Sequence, residues 1–459
     1  MIGYRVFLWQ MGALPISHVL VLERWPLSQL GRSYRIHPLM QDFFRQHVFP
    51  KLTDIQAWIQ TKQHGMRTPF YASVDIRYAG FKIAGVDTNL FPAGFNNLDV
   101  SDLPLLVRRL KDRLLADVPG CRSVLLITEE HTRNPWYIDN IHVLATQIQA
   151  AGFRVRMATF LNNDPEFCQK SNHLMLQSAS GALLRLDCLH HVVGELVSGA
   201  YVADAVLLNN DLSAGIPSIL AHIQLPVLTP PGAGWHARGK AQHFSFANAL
   251  IREMCADVGL DPWLFSAYFG AVSEVNIHEE LDRKRVSEAA KILFARIAAK
   301  YAEYGIQENP FVFMKADSGT YGMGIHVLES PDEIQAINRK VRNKLHKGKQ
   351  SQVIGKYLLQ EGVPSVVRYK GQMAEPCFYH IGPDVVGGFL RGHPERSSRE
   401  NLNAAGMTFS PIAVTASHGG AEENTGLWLP EGTSGEEVVL FVAMSSLAAL
   451  AAGQELAWL

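Results

Sequence analysis

Cysteine is scarce in this chain, and the few cysteines lie far apart. Five occur among 459 residues, and none belongs to a Cys-x-x-Cys pair. This spacing excludes zinc sites built on paired cysteines, and the low, odd count argues against the disulfide framework typical of small secreted proteins. A reducing compartment, and therefore a cytoplasmic location, fits this composition best.

An excess of charge of either sign is also lacking. The sequence has 42 basic and 43 acidic residues, which give a formal net charge of −1. It therefore has no overall basic field that would attract nucleic acid, and we expect no nucleic-acid partner. A homo-oligomer remains compatible with the composition.

A long uninterrupted apolar run is missing near the N-terminus. Pro15 and His18 interrupt the apolar residues there, and the run is too short to span a membrane. A signal peptide is the alternative, but no small-residue cleavage site follows the run. We therefore interpret residues 1–34 as an N-terminal extension and expect no membrane partner.

The first half of the chain alternates between strand-like and helix-like patterns. Residues 71–86 alternate between apolar and polar side chains, which predicts a half-buried strand. Short apolar runs at 123–128, 153–160, 205–208 and 226–229 then predict strands, with a helix at 136–151. Such alternation favours a mostly parallel sheet with helices on its faces. The Pro-Pro-Gly sequence at 230–232 predicts a boundary between two lobes.

The second half has a different pattern. Helical spacing predicts helices at 279–304, 331–345 and 436–451, and apolar runs predict strands at 311–315, 352–360, 371–380 and 384–391. These patterns favour an antiparallel α+β arrangement. We therefore predict an α/β protein with an N-terminal α/β lobe at 35–232, which has a mostly parallel sheet, followed by an α+β region at 233–459.

A glycine-rich segment follows the predicted strand that ends at Lys315. Glycines let the backbone N–H groups approach a polyphosphate closely, hydroxyl groups add donors, and the lysine adds a positive charge. Because the lysine precedes the glycines, a Walker loop is excluded, and a third glycine needed for a dinucleotide fingerprint is absent. A structural hairpin turn is the alternative interpretation. The predicted phosphate-binding residues are Lys315, Ser318, Gly319, Thr320, Gly322 and Gly324.

The next predicted strand ends in a polar pair and a glycine. There Gln360, Glu361 and the backbone around Val363 are candidates to contact an adenine and its ribose. An ordinary strand end is the alternative.

Carboxylates and amides then appear at further strand ends. Mg²⁺ prefers hard oxygen ligands, usually one or two carboxylates together with substrate phosphates. Glu375, Glu400 and Asn403 are therefore candidate metal ligands, and Asn401 remains an alternative to Asn403. Arg391 lies between them in sequence, where its charge could stabilise a phosphoryl group in transfer. A solvated loop with outward-pointing charges is the alternative.

Taken together, these segments resemble the ATP-grasp ligases, and more narrowly the proteobacterial-type glutamate–cysteine ligase family. The resemblance rests on residues 315–324, 360–364 and 400–406, and on three N-terminal segments, 86–98, 128–134 and 234–240. It implies that the lobe at 35–232 binds substrate and that residues 233–459 form an ATP-grasp nucleotide-binding region. It also implies an ATP- and Mg²⁺-dependent joining of the L-glutamate γ-carboxylate to the L-cysteine amine through an acyl phosphate, the first step of glutathione biosynthesis. Lys315 and Arg391 would be the catalytic cations.

An amino-acid substrate carries a carboxylate and an ammonium group, so its site needs basic and acidic side chains together. Candidates are Asp75, Arg77, Asp87, Asn89, Arg133 and Arg238. Surface ion pairs and a solvated basic loop are the alternatives for these residues. A different ATP-grasp carboxylate–amine ligase and a catalytically idle nucleotide-binding protein remain alternative functions.

Overall fold

The computed structural model describes residues 3–7, 21–25, 38–130, 134–160, 172–318, 325–346, 353–414 and 433–458. Its strands are β1 (Gly3–Phe7), β2 (Val21–Trp25), β3 (Tyr71–Tyr78), β4 (Ile83–Asn89), β5 (Ser123–Thr128), β6 (Arg154–Thr159), β7 (His173–Gln177), β8 (Leu183–Cys188), β9 (Ala205–Asn209), β10 (Phe269–Val272), β11 (Val312–Ala316), β12 (His326–Leu328), β13 (Tyr357–Glu361), β14 (Arg368–Tyr369), β15 (Gln372–Ile381), β16 (Asp384–His393) and β17 (Thr408–Ile412). Its helices are α1 (Pro38–His47), α2 (Leu52–Gly65), α3 (Leu103–Asp117), α4 (Pro135–Ala150), α5 (Leu189–Ser198), α6 (Lys240–Val258), α7 (Glu280–Glu303), α8 (Glu333–Ala336), α9 (Arg339–His346) and α10 (Gly435–Leu456). The predicted mixed α/β class is confirmed, and β1 and β2 of the N-terminal extension pair with each other.

The first sheet is mostly parallel, as the sequence predicts. Its order is β7-β8-β6-β5-β9, and only the edge strand β7 runs antiparallel to its neighbour. Every residue of β5 is buried. Leu125 and Ile127 pack in the same apolar cluster as α5, whereas Val124 and Leu126 pack in the cluster that contains α4. Helices thus cover both faces, which explains the continuous apolar run. Residues 226–229 contribute only an isolated bridge at Val227.

The second sheet is antiparallel and combines distant parts of the chain. Its order is β17-β16-β15-β3-β4, with β14 paired to β15. Cys377 of β15 lies opposite Asp75 of β3. Residues 71–89 therefore complete a sheet whose other strands all lie beyond residue 232. The Pro-Pro-Gly sequence forms a short 3-10 turn, Pro231–Ala233, and dividing the chain there would cut this sheet.

The predicted half-buried strand at 71–86 is two strands, and β3 is buried on both faces. Val74 and Ile76 are fully buried on the face against which α10 packs. On the other face, Asp75 and Arg77 line an internal cavity. The half-burial prediction is wrong because the polar side chains face this cavity and not solvent.

The third sheet is antiparallel, with the order β10-β13-β11-β12. It carries Lys315 on β11 and Gln360 on β13. The long helix α7 packs against this sheet. The apolar face predicted for α7 is confirmed by five buried side chains, Val286, Ala290, Leu293, Ile297 and Tyr301. The helix predicted at 331–345 is instead two short helices, α8 and α9.

The last helix, α10, lies in the core. Ser434 and Glu437 form a capping box at its N-terminus, which satisfies two otherwise unpaired backbone N–H groups. Within the described ranges, one helix is long and apolar enough to cross a membrane. It is α10, and 78% of its most apolar window is buried inside the molecule. Packing against α2, α6, β3 and β4 accounts for its composition.

Candidate functional site

Two neighbouring cavities lie where the three sheets approach one another. The smaller contains about 470 Å³ of empty space, and it is lined by Asp75, Arg77, Val86, Asp87, Phe313, Lys315, Ile325, Glu375, Asn401 and Asn403. The larger contains about 840 Å³ including open solvent, and it is lined by Ser73, Asp75, Asp87, Asn89, Phe91, Ala93, Glu129, Tyr137, Asn209, Asp211, Tyr379, Phe389, Arg391, Asn403, Met407 and Phe409. Asp75, Asp87 and Asn403 line both cavities, so the two adjoin at these residues.

Lys315 supplies a positive charge to the smaller cavity. Its Nζ donates to Gln360 Oε1 at 2.7 Å and to the Val86 carbonyl at 3.2 Å. Burial lowers the pKa of Lys315 to about 8, because a cation loses hydration in a low-dielectric site. The side-chain oxygen of Gln360 thus orients the ammonium group of Lys315. The other amide atom, Gln360 Nε2, is buried and has no hydrogen-bond partner among the described residues.

The second group of charges is a buried network on three adjacent strands. Strand register places Arg391 of β16 directly opposite Glu375 of β15. Arg391 Nη1 donates to Glu375 Oε1 at 2.9 Å and to Asp75 Oδ2 at 2.7 Å. Arg77 Nε donates to the other oxygen of Glu375. Burial alone would raise the pKa of Glu375, but Arg77 and Arg391 outweigh it and hold this pKa below its usual range.

Asp87 is a further carboxylate at the boundary between the cavities. Its Oδ1 lies 2.5 Å from Lys240 Nζ. Burial opposes ionisation of Asp87, but the ammonium groups of Lys240 and Lys315 lower its pKa to about 2. Asp87 is therefore ionised at neutral pH.

The described residues do not form a preassembled Mg²⁺ site. Within the described ranges, no group of three His, Cys, Asp or Glu side chains is placed to hold a metal ion. Arginine side chains already bind Glu375. Glu400 Oε1 accepts from Arg396 at 2.7 Å and Oε2 from the Ser397 N–H at 2.8 Å. The side chain of Glu400 does not line either cavity, and its ligand role stays a prediction. Asn403 lines both cavities and stays a prediction.

Glu361 and Val363 of the predicted nucleotide set line neither cavity. Glu361 Oε1 accepts from Lys82 Nζ at 2.6 Å and from Trp263 Nε1 at 3.0 Å. Its other oxygen accepts from the Tyr268 N–H at 2.8 Å. These contacts give the buried carboxylate a structural role. The side chain of Val363 is buried, and the contact of its backbone with adenine stays a prediction.

Several other predicted residues have different outcomes. Ser318 is exposed, whereas Gly319, Thr320, Gly322, Gly324 and Arg133 lie outside the described residues. Asn89 lines the larger cavity. Arg238 lines neither cavity, because its Nε donates to Glu455 Oε1 at 2.9 Å and its Nη1 to the Thr88 carbonyl at 2.7 Å. This buried arginine connects β4 to α10, so the solvated-loop alternative is wrong. Its contact with substrate stays a prediction.

One group of cavity residues was missed from the sequence. Glu129 follows β5, and Asn209 and Asp211 lie at the end of β9. Tyr137 connects the two ends: its hydroxyl accepts from the Glu129 N–H at 2.8 Å and donates to the Asn209 carbonyl at 3.1 Å. Polar residues directly after two predicted parallel strands were the signal, because ligands bind at the carboxyl ends of such strands.

Comparison with known proteins identifies the family. A family model described as "Glutamate-cysteine ligase" matches residues 45–456. A solved protein from Methylobacillus flagellatus KT, described as a gamma-glutamylcysteine synthetase, is 34% identical, with a TM-score of 0.77 over 93% of this chain and 98% of that chain. D-alanyl-alanine synthetase A from Vibrio cholerae O1 biovar eltor str. N16961 is 12% identical over 71% of this chain and 80% of that one, and its TM-score of 0.31 is too low to support any conclusion. No curated protein matches. The family model covers most of the chain, which confirms the resemblance to this family seen in the motifs. The chain therefore belongs to the glutamate–cysteine ligase family.

Proposed function

We propose that the protein joins the γ-carboxylate of L-glutamate to the amine of L-cysteine, with ATP as the energy source and an acyl phosphate as intermediate. The observation that carries this proposal is that three cationic side chains, Lys315, Arg77 and Arg391, line two adjoining cavities in a member of this ligase family. We assign the ATP-grasp nucleotide site to the third sheet. We assign the neutralisation of the substrate's negative charge to the arginines of the second sheet.

The reaction brings a carboxylate onto the terminal phosphate of ATP. A carboxylate oxygen forms a bond to phosphorus, and ADP leaves with the electron pair of the broken P–O bond. The cysteine amine then forms the amide bond, loses a proton and displaces inorganic phosphate. Both partners of the first step are anions, so fixed cations are needed to overcome their repulsion. In this proposal Lys315 and Arg391 supply this charge without reorganisation.

The acids in the cavities also have a role in this proposal. Asp75 accepts from both Nη atoms of Arg391, at 2.7 and 3.2 Å, and Glu375 accepts from Nη1 at 2.9 Å. A guanidinium held by two carboxylates cannot rotate, and a preorganised charge stabilises a transition state better than a mobile one. Because Asp75, Asp87 and Glu375 are already bound by cations, Mg²⁺ would enter as part of Mg–ATP, held mainly by the phosphates. Asn403 is the described residue best placed to add an oxygen ligand.

The test is ADP release by the purified protein, measured with glutamate, with cysteine and with the pair. We expect full turnover only with both amino acids. Full turnover with a different acid or amine would assign the protein to another carboxylate–amine ligase activity. Tight ATP binding without turnover on any pair would favour the idle nucleotide-binding protein and overturn the proposal. Lys315→Ala should lower kcat/KM for ATP by about a hundredfold or more, with Lys291→Ala, an exposed lysine on α7, as the matched control.

A further inference from the structure

One wall of the larger cavity is apolar and lies next to its charged part. Phe389, Met407 and Phe409 line this cavity together with Arg391. The rings of Phe389 and Phe409 meet edge to face, with their centroids 5.1 Å apart. Phenylalanine and methionine side chains carry no strong hydrogen-bonding group. These three residues are called the apolar wall below.

Strand pairing places the apolar wall beside the group that neutralises the substrate. Phe409 of β17 lies directly opposite Arg391 of β16. Directly opposite side chains of an antiparallel pair point to the same face of the sheet, with Cβ atoms about 5 Å apart. Phe389 lies two residues before Arg391 on the same strand, so it shares this face. A substrate held by Arg391 therefore has the apolar wall beside it.

The larger cavity changes in polarity from its inner end to its rim. At the inner end, Ser73 and Asn209 are 8% and 2% exposed. At the rim, Met407 is 36% exposed and Phe409 is 40% exposed. Exposed apolar surface at the rim of a cavity is a common feature of ligand sites. A first substrate thus meets polar partners at the inner end, and a later one meets the apolar wall.

We propose that the apolar wall binds the side chain of the cysteine substrate and selects a thiol over a hydroxyl. This inference rests on the proposed function and adds to it the residues that determine specificity for the second substrate. The γ-carboxylate of glutamate must be activated first, so glutamate occupies the inner end when the amine arrives from the rim. The amine attacks the acyl carbon near Arg391. Its CH₂–SH group, bonded to the carbon that carries the nitrogen, then lies against Phe409 and Met407.

A thiol and a hydroxyl differ in how well they suit this wall. A thiol is a weak hydrogen-bond donor, and its polarisable sulfur makes favourable contacts with aromatic rings. A hydroxyl at the same place loses its hydrogen bonds to water without replacement. Because an apolar pocket rejects a hydroxyl only moderately, we expect a preference for cysteine over serine of about tenfold to a hundredfold.

The experiment compares three amines: cysteine, serine and L-2-aminobutyrate, in which a methyl group replaces the thiol. ADP release gives kcat/KM for each amine at saturating ATP and glutamate, for the wild type, Phe409→Ala and Phe409→Leu. Calorimetry measures cysteine binding in the presence of glutamate and a non-hydrolysable ATP analogue, so that binding is observed without turnover. Ile292→Ala is the control, because Ile292 is an exposed apolar residue on α7.

We expect Phe409→Ala to lower kcat/KM for cysteine and L-2-aminobutyrate by about tenfold and to leave that for serine nearly unchanged, because the ring contributes little to binding a hydroxyl. Phe409→Leu keeps an apolar surface and should retain most of the preference for L-2-aminobutyrate over serine. KM for ATP and KM for glutamate should be unchanged in both variants, and Ile292→Ala should behave as the wild type. If Phe409→Ala is unfolded by circular dichroism, Met407→Ala serves as the second variant with the same expectation.

Four results would overturn the inference. An equal loss for cysteine and serine in Phe409→Ala indicates a structural role, and an unchanged ratio between them shows that the wall does not select the thiol. A raised KM for glutamate without a change for cysteine places glutamate at the wall. The fourth result is a wild type that binds no cysteine.

Failure of the proposed function has a different signature. A wild type that binds cysteine with the expected dependence on Phe409, but releases no ADP with glutamate and any of the three amines, would overturn the proposed function and leave the thiol site standing.

Discussion

The buried pair of Lys82 and Glu361 gives a test of whether Glu361 is structural. Both side chains are 0% exposed. Replacing Lys82 by methionine keeps most of its apolar stem but leaves the carboxylate of Glu361 buried without a cation. Removing one partner of a buried pair costs about 3–5 kcal/mol of unfolding free energy. Because Trp263 and the Tyr268 N–H still donate to this carboxylate, we expect a loss near the lower end, about 3 kcal/mol.

The measurement is urea unfolding of wild type and Lys82→Met at pH 7. Lys291→Met, which changes an exposed lysine, should leave the unfolding free energy unchanged. KM for ATP should be the same in all folded variants. A raised KM for ATP without any loss of stability would refute the structural role of Glu361.

Three further predictions concern the same region. The pKa of Lys315 is about 8, so kcat/KM for ATP should fall as pH rises through about 8. Lys315→Arg should move this fall to higher pH. A wild-type kcat/KM for ATP that stays constant up to pH 10 would contradict this assignment. The pKa of Glu455 is about 2, because Arg238 and His243 outweigh the opposing effect of burial. The ion pair of Glu455 with Arg238 therefore stabilises the fold above the ordinary glutamate pKa. Its contribution disappears as pH falls toward 2. Glu455→Gln should accordingly lower the unfolding free energy by about 3 kcal/mol at pH 7, and urea unfolding should show the two proteins converging in acid; a difference independent of pH would argue against the pair. Glu400→Ala should retain most of the wild-type kcat, since its carboxylate lies outside both cavities, and a complete loss of ADP release would return Glu400 to the site.

The parts of the fold that the sequence predicted are those set by local patterns. The apolar run of β5 and the helical spacing of α7 each predicted the correct element, because their side chains must be buried on defined faces. Lys315 was found for a similar reason: a charged residue at the end of an apolar strand, followed by glycines, is unusual without a ligand.

The parts that were missed depend on contacts between distant residues. Whether a carboxylate is free for a ligand depends on its partners, and nothing near Glu361 in sequence indicates that Lys82 neutralises it. The same applies to Glu400, whose carboxylate accepts from Arg396 and from the Ser397 N–H. Strand pairing is equally non-local, so no period in residues 71–86 could show that β3 lies beside β15.

The second sheet has a consequence for synthesis on the ribosome. Its strands β3 and β4 emerge early, but their neighbour β15 begins at Gln372, and α10, which covers their apolar face, ends at Leu456. Nearly the whole polypeptide must therefore be released before β3 has a partner on each side. Until then Val74 and Ile76 stay exposed as part of an unpaired edge, a form prone to aggregation. We expect the nascent chain to depend on a holding chaperone through most of its translation.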